Sequence, residues 1–341
     1  MKRLRVLHLV DDTTAGGVMR VIEHISSSRD MSLSAVHSVR VVTRGSLATS
    51  RAKADVIVSH LSVSWRNLPV FIALRAANTG SALVHVEHSY TERFVAINVK
   101  HRRRFATLLR TTYALFDRIV AVSHEQGRWL ASRSFAQPEA IEVIQSCTDM
   151  SAFRKLPECK GPARIIGAIG RLDRQKGFDK LITAFRQCGN PEIELHIYGE
   201  GSEEETLRAC ANGDPRIRFH GFASDPVKAM SAVDAVAMPS RWEAYGLVAI
   251  EALSAGRALL VGPVDGLKDH AARGATVVCG DTVRDWSRAI GKLTDGSAVS
   301  RPPADHVRAG SPESVFAKKW DELLLSVTAG TDRHSEKKYA A

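Results

Sequence analysis

An alternation limits this chain more than any other feature. Short apolar runs at Leu4–Val10, Val39–Thr43, Asp55–Ser59, Ala82–Glu87, Arg118–Val122 and Glu142–Ile144 are separated by stretches of helical periodicity, such as Val18–Ser28, Asn67–Ala77 and His124–Arg133. An apolar run of strand length suits a strand buried on both faces, and the amphipathic stretches between supply its cover. The pattern predicts a parallel sheet wound with helices. It breaks at 149–162, where Pro157, Gly161 and Pro162 stand among mixed charges and read as a linker. It then restarts. Strands are expected at Ile165–Ile169, Glu194–Tyr198, Arg216–His220, Asp234–Met238, Ala258–Val261 and Thr276–Val278, with helices at Phe178–Cys188, Glu203–Ala211, Val227–Ala232, Leu247–Ala255 and Val283–Leu293. The fold class is therefore α/β: two tandem Rossmann-like, doubly wound domains, 1–155 and 156–310, with a ligand cleft expected where the carboxyl ends of both sheets face each other. A length of 341 residues accommodates both.

A Pro-rich loop at Arg301–Pro303 precedes a last helix, 311–328. Ser311-Pro312-Glu313 supplies its cap, first-position proline and early acid, and Phe316, Trp320, Leu323 and Leu324 form its apolar stripe. This helix is expected to pack back toward the amino-terminal domain, and residues 329–341 to form a disordered tail.

No stretch approaches the roughly 20 apolar residues that span a bilayer. The start, MKRLRVLHLVDD, is basic then apolar, but Asp11 and Asp12 follow at once without a small-residue cleavage site, so it reads as a first strand and a cytoplasmic protein is expected. Five scattered cysteines form no C-x-x-C pair, which argues against a disulfide framework or zinc site. The net charge of +10 is one-sided: residues 1–155 carry 22 Lys and Arg against 12 Asp and Glu, and residues 156–341 carry 25 of each. Such a half suits an anionic partner.

The strongest chemical signal is Pro239–Gly256, PSRWEAYGLVAIEALSAG. A strand runs through a loop into a helix near Gly246. The backbone N–H groups from Ala244 through Tyr245 and Gly246 to Leu247, with the helix dipole, make a diphosphate site from main chain alone. Gly246 allows close approach of a phosphate. Glu243, just before the helix, can accept hydrogen bonds from sugar hydroxyls. Glu251 lies on a face that can reach a ribose diol. For either glutamate alone, a capping or surface acid is the better reading; together in this frame they point to function.

The spacing E-A-Y-G-L-x-x-x-E-A-L-x-x-G resembles the signature of glycosyltransferase family 4. VLHLVDDTTAGGVMRVIEHI is similar to the amino-terminal glycine loop and helix of that family, GAIGRLDRQKGFDKLITAF to its G-R-L-x-x-x-K-G segment, and ELHIYGEGSEEETL and IRFHGFASDPVKAMSAVDAVAMPS follow in the family's order, so the likeness covers about residues 1–278. It implies a two-Rossmann (GT-B) enzyme that moves a hexose from a UDP- or GDP-sugar with retention of configuration. Arg171 and Lys176, an ordinary solvated loop by themselves, acquire the role of clamping the leaving diphosphate. Gly16 and Gly17 become the loop closing over the donor phosphate. His88, at the carboxyl end of the fourth strand, becomes a partner of the transferring sugar, in preference to His85, which alternates to the other face. Gly199, Glu200 and Phe222 are assigned to the base side. Ser123 reads as a helix cap. No Asp-x-Asp occurs, so no metal or other cofactor is expected, and Glu87 should face away from the sugar. Two departures stand out. QSCTD replaces the family's P-N-G-V-D, keeping only Asp149, and Gly262–Asp269 has Asp269 where Glu is usual.

Residues 94–116 form a basic amphipathic pattern. Phe94, Ile97, Phe105, Leu108, Leu109 and Phe116 share one face, and Lys100, Arg102, Arg103, Arg104 and Arg110 lie mostly on the other. A helix docked on the sheet is one reading; a surface riding on anionic lipid, peripheral on the inner membrane face, is the other. The latter points to a saccharide or lipid-linked saccharide acceptor in bacterial surface or exopolysaccharide synthesis. A nucleotide-sugar epimerase of the same fold is the first rival. An inactive partner subunit is disfavoured by the intact glutamate pair, Arg171 and Lys176. A nucleic-acid binder is disfavoured because aromatics are only 6% and no recognition motif occurs.

Overall fold

A computed structural model describes residues 3–14, 16–46, 52–159, 161–297 and 311–339, with the side chains of the last helix described through residue 329. The expected loop at Arg301–Pro303 lies outside the described residues. The chain divides into two compact units, Met1–Thr148 with Ser311–Ala341, and Asp149–Gly310.

The first unit follows the order β1 (Leu4–Val10), α1 (Gly17–Ser27), β2 (Ala35–Val41), β3 (Val56–Ser59), α2 (Leu68–Ala77), β4 (Ala82–Glu87), α3 (Glu92–Asn98), α4 (Arg102–Tyr113), β5 (Arg118–Ala121), α5 (His124–Ser132) and β6 (Ile141–Val143). Its sheet is parallel, in the order β2-β1-β3-β4-β5-β6. Leu7, Leu9, Ile57, Leu83 and Ile119 line one face against Phe71 and Leu74 of α2, Leu108 and Leu109 of α4, and Leu130 of α5. β2 starts earlier than its apolar run suggested. It is an edge strand with Val36, Val39 and Val41 exposed, so its limits follow pairing with β1 rather than hydrophobicity. The basic stretch 94–116 is not one helix. The backbone turns extended at Val99, where α3 ends, and α4 starts at Arg102; Arg102 Nη2 donates back to the Ala96 carbonyl at 3.0 Å. Thr91 caps α3, its Oγ1 accepting from Phe94 N at 3.1 Å, and Ser123 caps α5, accepting from Gln126 N at 3.2 Å.

The second unit follows α6 (Ser151–Arg154), β7 (Ile165–Ile169), α7 (Phe178–Arg186), β8 (Glu194–Tyr198), α8 (Glu204–Ala211), β9 (Ile217–Phe219), α9 (Pro226–Ser231), β10 (Ala235–Met238), α10 (Leu247–Ser254), β11 (Ala258–Val261), β12 (Thr276–Val277) and α11 (Val283–Thr294). Its parallel sheet runs β12-β11-β10-β7-β8-β9. Asp225, before Pro226, caps α9, and Thr282 with Asp285 forms a capping box on α11. The unit begins at Asp149, inside the expected linker, because Phe153 of α6 is buried and α6 touches α9 and α10.

The last helix, α12 (Pro312–Tyr339), groups with the first unit. Ser311 Oγ accepts from Ser314 N at 3.2 Å, and Phe316, Trp320, Leu323 and Leu324 are all buried. The helix continues through 329–339, where an irregular tail was expected.

Candidate active site

The second sheet reverses its winding between β7 and β10: β8 and β9 lie to one side, β11 and β12 to the other. A crevice forms at such a switch point because consecutive connections leave in opposite directions. The loops that follow β7 and β10 meet there. Lys176 Nζ donates to Glu243 Oε2 at 2.5 Å, and both side chains are largely buried. Main chain holds the loops together. Arg241 N donates to the Gln175 carbonyl at 2.7 Å, and Gln175 Nε2 donates to the Trp242 carbonyl at 3.1 Å. Arg241 also makes a two-pronged pair with Asp179 at 2.9 and 2.6 Å. Burial pushes the Asp179 carboxyl up, and the Arg241 guanidinium more than offsets this, holding it below its ordinary value.

Glycine makes this crowding possible. Gly199 has φ +144°, and a methyl there would overlap the Gly170 carbonyl oxygen; a methyl on Gly177 would stand 2.5 Å from the Pro239 carbonyl oxygen. Gly246, at φ +89°, begins α10. A side chain there would press on Leu267 at 2.9 Å, Met238 at 3.0 Å and the Glu243 side chain at 3.3 Å. Its glycine is thus required by backbone conformation and neighbouring side chains. The first turn of α10 leaves N–H groups without helical acceptors at this spot, below the Lys176–Glu243 pair.

The other expected residues fall into place unevenly. Arg171 is on the same loop, but 68% of its side chain is exposed; it pairs with Asp173 at 3.3 Å. Glu200 is exposed, and its Oε1 accepts from Phe222 N at 3.4 Å; Phe222 stands 63% exposed after β9. Ala244 and Tyr245 are buried, the Tyr245 carbonyl accepting from His270 Nε2 at 2.9 Å. Glu251 is also buried, at 1% exposure, rather than presented on an open face. Sequence reasoning missed Asp265. Its carboxylate accepts from Glu243 N at 3.3 Å, and it holds a left-handed φ of 36°, a conformation that non-glycine residues adopt at a cost. The loose glycine-rich turn at 262–269 was the only signal for it.

In the first unit, His88 follows β4 at the carboxyl end of the sheet, and its Nε2 lies 2.8 Å from His60 Nδ1. Burial pushes its pKa down to about 4, against the nearby Glu87 charge, so the ring is neutral at pH 7. His85 points to the opposite face, among the rings of Phe71, Tyr113 and Phe116. Glu87 faces that way too. Its carboxylate accepts from Ser89 N at 2.7 Å, Tyr90 N at 2.9 Å and the Tyr113 hydroxyl at 2.7 Å. It shapes the turn that carries His88. Gly16 and Gly17 are exposed; Gly16 is extended, with nothing closer to an added methyl than the Thr14 carbonyl oxygen at 3.8 Å, so neither conformation nor crowding there requires glycine at that position. At this unit's own switch point, between β1 and β3, the missed residue is Asp11. It accepts from Ser62 N, Ser62 Oγ, Asn67 Nδ2 and Arg44 Nε at 3.1 to 3.2 Å, tying together the loops after β1, β2 and β3. Among the described residues no group of three or more His, Cys, Asp or Glu is arranged to hold a metal ion.

Comparison with known proteins agrees with this geometry. Residues 9–152 match the family described as Glycosyltransferase Family 4, and residues 163–295 that described as Glycosyl transferases group 1. A D-inositol 3-phosphate glycosyltransferase of Mycobacterium ulcerans is 28% identical over 238 residues, 62% of this chain and 50% of that protein; the chain spans about half the length of the curated relatives it matches. Among solved structures, Anabaena HepE in complex with UDP-glucose aligns over 98% of this chain and 100% of its own, with a TM-score of 0.67 at 16% identity. Sucrose-phosphate synthase from Thermosynechococcus elongatus gives 0.67 at 17% identity, over 99% and 100%. The two six-stranded parallel sheets are thus those of the GT-B fold.

Proposed function

The chain belongs to glycosyltransferase family 4, its two halves matching the two domain families of that group, and from that premise we propose that it moves a hexose from a nucleoside diphosphate sugar to a saccharide or lipid-linked saccharide, with retention and without a metal. The observation that carries this reading is the Lys176–Glu243 pair at 2.5 Å, set in the switch-point crevice over the start of α10. An ammonium, a nearby guanidinium on Arg171 and a helix amino terminus make a site for a diphosphate. The incoming diphosphate takes over Lys176, and Glu243, released from it, accepts sugar hydroxyls. Glu251 is assigned to the ribose, and Gly199, Glu200 and Phe222 to the base side, where the exposed ring offers a stacking surface. Gly16 and Gly17 border the donor phosphate, and His88 a sugar hydroxyl.

In the transfer the bond from the anomeric carbon to the β-phosphate oxygen breaks, and the acceptor oxygen bonds the same carbon from the same face. The acceptor's hydroxyl proton passes to the departing β-phosphate. Lys176, Arg171 and the helix amides carry the charge that develops there, the role a divalent ion would otherwise play. A front-face route fits Glu87 being turned away and fully engaged. The exposed Lys100, Arg102, Arg103, Arg104 and Arg110 around α4 fit an acceptor held at an anionic membrane surface; among the described residues no helix is long and apolar enough to cross one.

Calorimetry with UDP, GDP and ADP in the presence of a chelator tests the site. UDP comes first because HepE was solved with it. Binding of one nucleotide, lost in Lys176→Ala, is expected. Failure of all three to bind would overturn the proposal, and release of an epimerised sugar nucleotide without acceptor would favour the epimerase reading.

A further inference from the structure

Four histidines stand in one row across the first sheet. His37 Nδ1 lies 2.9 Å from His8 Nε2, His8 Nδ1 2.9 Å from His60 Nε2, and His60 Nδ1 2.8 Å from His88 Nε2. Ring centroids are 5.2, 5.2 and 5.1 Å apart. Strand register produces the row. His37 pairs with Val6, two residues short of His8, and His8 pairs with Val58, two short of His60. Ser59 pairs with His85, which sets His60 level with Val86, two short of His88. Each step crosses one strand and advances two residues toward the carboxyl ends, so all four side chains stay on one face. The row runs from the edge strand β2 to the end of β4, and Trp320 of α12 meets the His8 ring edge-on at 6.1 Å.

The spacing is that of hydrogen bonds. Two imidazole nitrogens sharing one zinc at about 2.0–2.1 Å would stand roughly 3.3 Å apart, whereas these contacts are 2.8–2.9 Å. Every contact needs one donor and one acceptor. Burial pushes His8 to about 3 and His88 to about 4, and lowers His37 and His60 as well, so each ring is neutral and holds one proton. One proton per ring and three shared contacts leave two arrangements: all four protonated on Nδ1, or all four on Nε2. Either way all four rings hold the same tautomer, and no ring can change its own without the other three changing too.

We propose that His8, His37 and His60 are positioning residues that lock His88 in a single tautomer, the one all four rings share, and so fix whether its Nδ1 donates to or accepts from a substrate hydroxyl. That the hydroxyl belongs to a sugar rests on the transfer reading above; the tautomer does not.

The test is two-bond 1H–15N correlation on the full chain with 15N-labelled histidine, resonances assigned from single His→Asn variants. All four rings are expected in one and the same tautomer; a row that mixes Nδ1–H and Nε2–H rings, or a His88 that averages the two forms, overturns the proposal, with no substrate involved. Two variants then separate positioning from packing. His60→Asn keeps an amide able to pair with His88 Nε2 and should retain a single tautomer and most of kcat. His60→Phe keeps a ring but no hydrogen-bonding nitrogen; His88 should lose its single tautomer and kcat should fall on the order of tenfold with donor KM little changed. An unchanged His88 spectrum in His60→Phe overturns the proposal, and should that variant not fold, the wild-type spectrum decides alone. If the spectra come out as expected while no sugar is transferred, the transfer reading falls and the row stands.

Discussion

Lowering the pH from 8 to 5 should unfold the first unit before the second. A histidine whose pKa is depressed in the folded state stays neutral there, while in the unfolded chain it takes a proton below about 6.5. The unfolded state therefore binds more protons between the two values, and stability is lost as pH falls through that window. For His8, at about 3, and His88, at about 4, the window opens at 6.5 and is still running at pH 5. About 1.5 pH units below the unfolded value correspond to roughly 2 kcal/mol per histidine, hence about 4 kcal/mol for this pair. His37 and His60 are pushed the same way and add to it. In the second unit His270 is shifted to about 4, through burial, which corresponds to roughly 2 kcal/mol at pH 5, and His220 is lowered as well, through burial first. A domain's whole stability is about 5–15 kcal/mol, so the first difference is large. Hydrogen exchange in increasing urea, read by mass spectrometry at pH 8 and pH 5, reports the units separately. Peptides covering β1, β3 and β4 should lose protection at clearly lower urea at pH 5, and those covering β7, β8 and β10 should move less. Equal shifts in both units, or none in the first, would refute the assignment of buried neutral histidines.

Other expectations follow from the same contacts. Lys176→Ala removes the cation opposing Glu243 and the leaving diphosphate, and should lower kcat/KM by about 10²–10³-fold, measured by coupled release of nucleotide. Gly199→Ala should cost more than about 3 kcal/mol or prevent folding, by urea titration, because its methyl overlaps the Gly170 carbonyl at a positive φ. Glu87→Ala leaves the Tyr113 hydroxyl and two backbone amides without their acceptor and should cost about 3 kcal/mol by thermal melting. Replacing Arg102, Arg103 and Arg104 together by Glu should abolish sedimentation with anionic vesicles, each basic group being worth about 1 kcal/mol there, while turnover of a water-soluble acceptor is unchanged.

Much of the architecture could be read from residue order. Leu4–Val10, Ala82–Glu87, Ile165–Ile169, Glu194–Tyr198 and Ala258–Val261 begin and end as expected, because strands buried largely on both faces are mostly apolar. β2 did not, since an edge strand tolerates exposed valines and polar neighbours alike. The break between α3 and α4 was hidden for a related reason: apolar residues at helical spacing continue on either side of Val99–His101, and periodicity does not register a turn inserted in phase. At the candidate site, Lys176 and Glu243 were singled out separately. That they form one ion pair depends on two loops 67 residues apart meeting in space.

Local chemistry along the chain is enough to specify strands, caps, the double winding and the residue types of a phosphate site, since each depends on neighbours a few positions away. Partnership across strands is different. Which histidine stands beside which, that Asp11 and Asp265 brace loops after other strands, and that Glu251 is buried are consequences of register and of glycines admitting close main-chain contact. A one-residue change in pairing would put His8 on the other face and dissolve the row, and no local property of residues 8, 37, 60 and 88 carries that information.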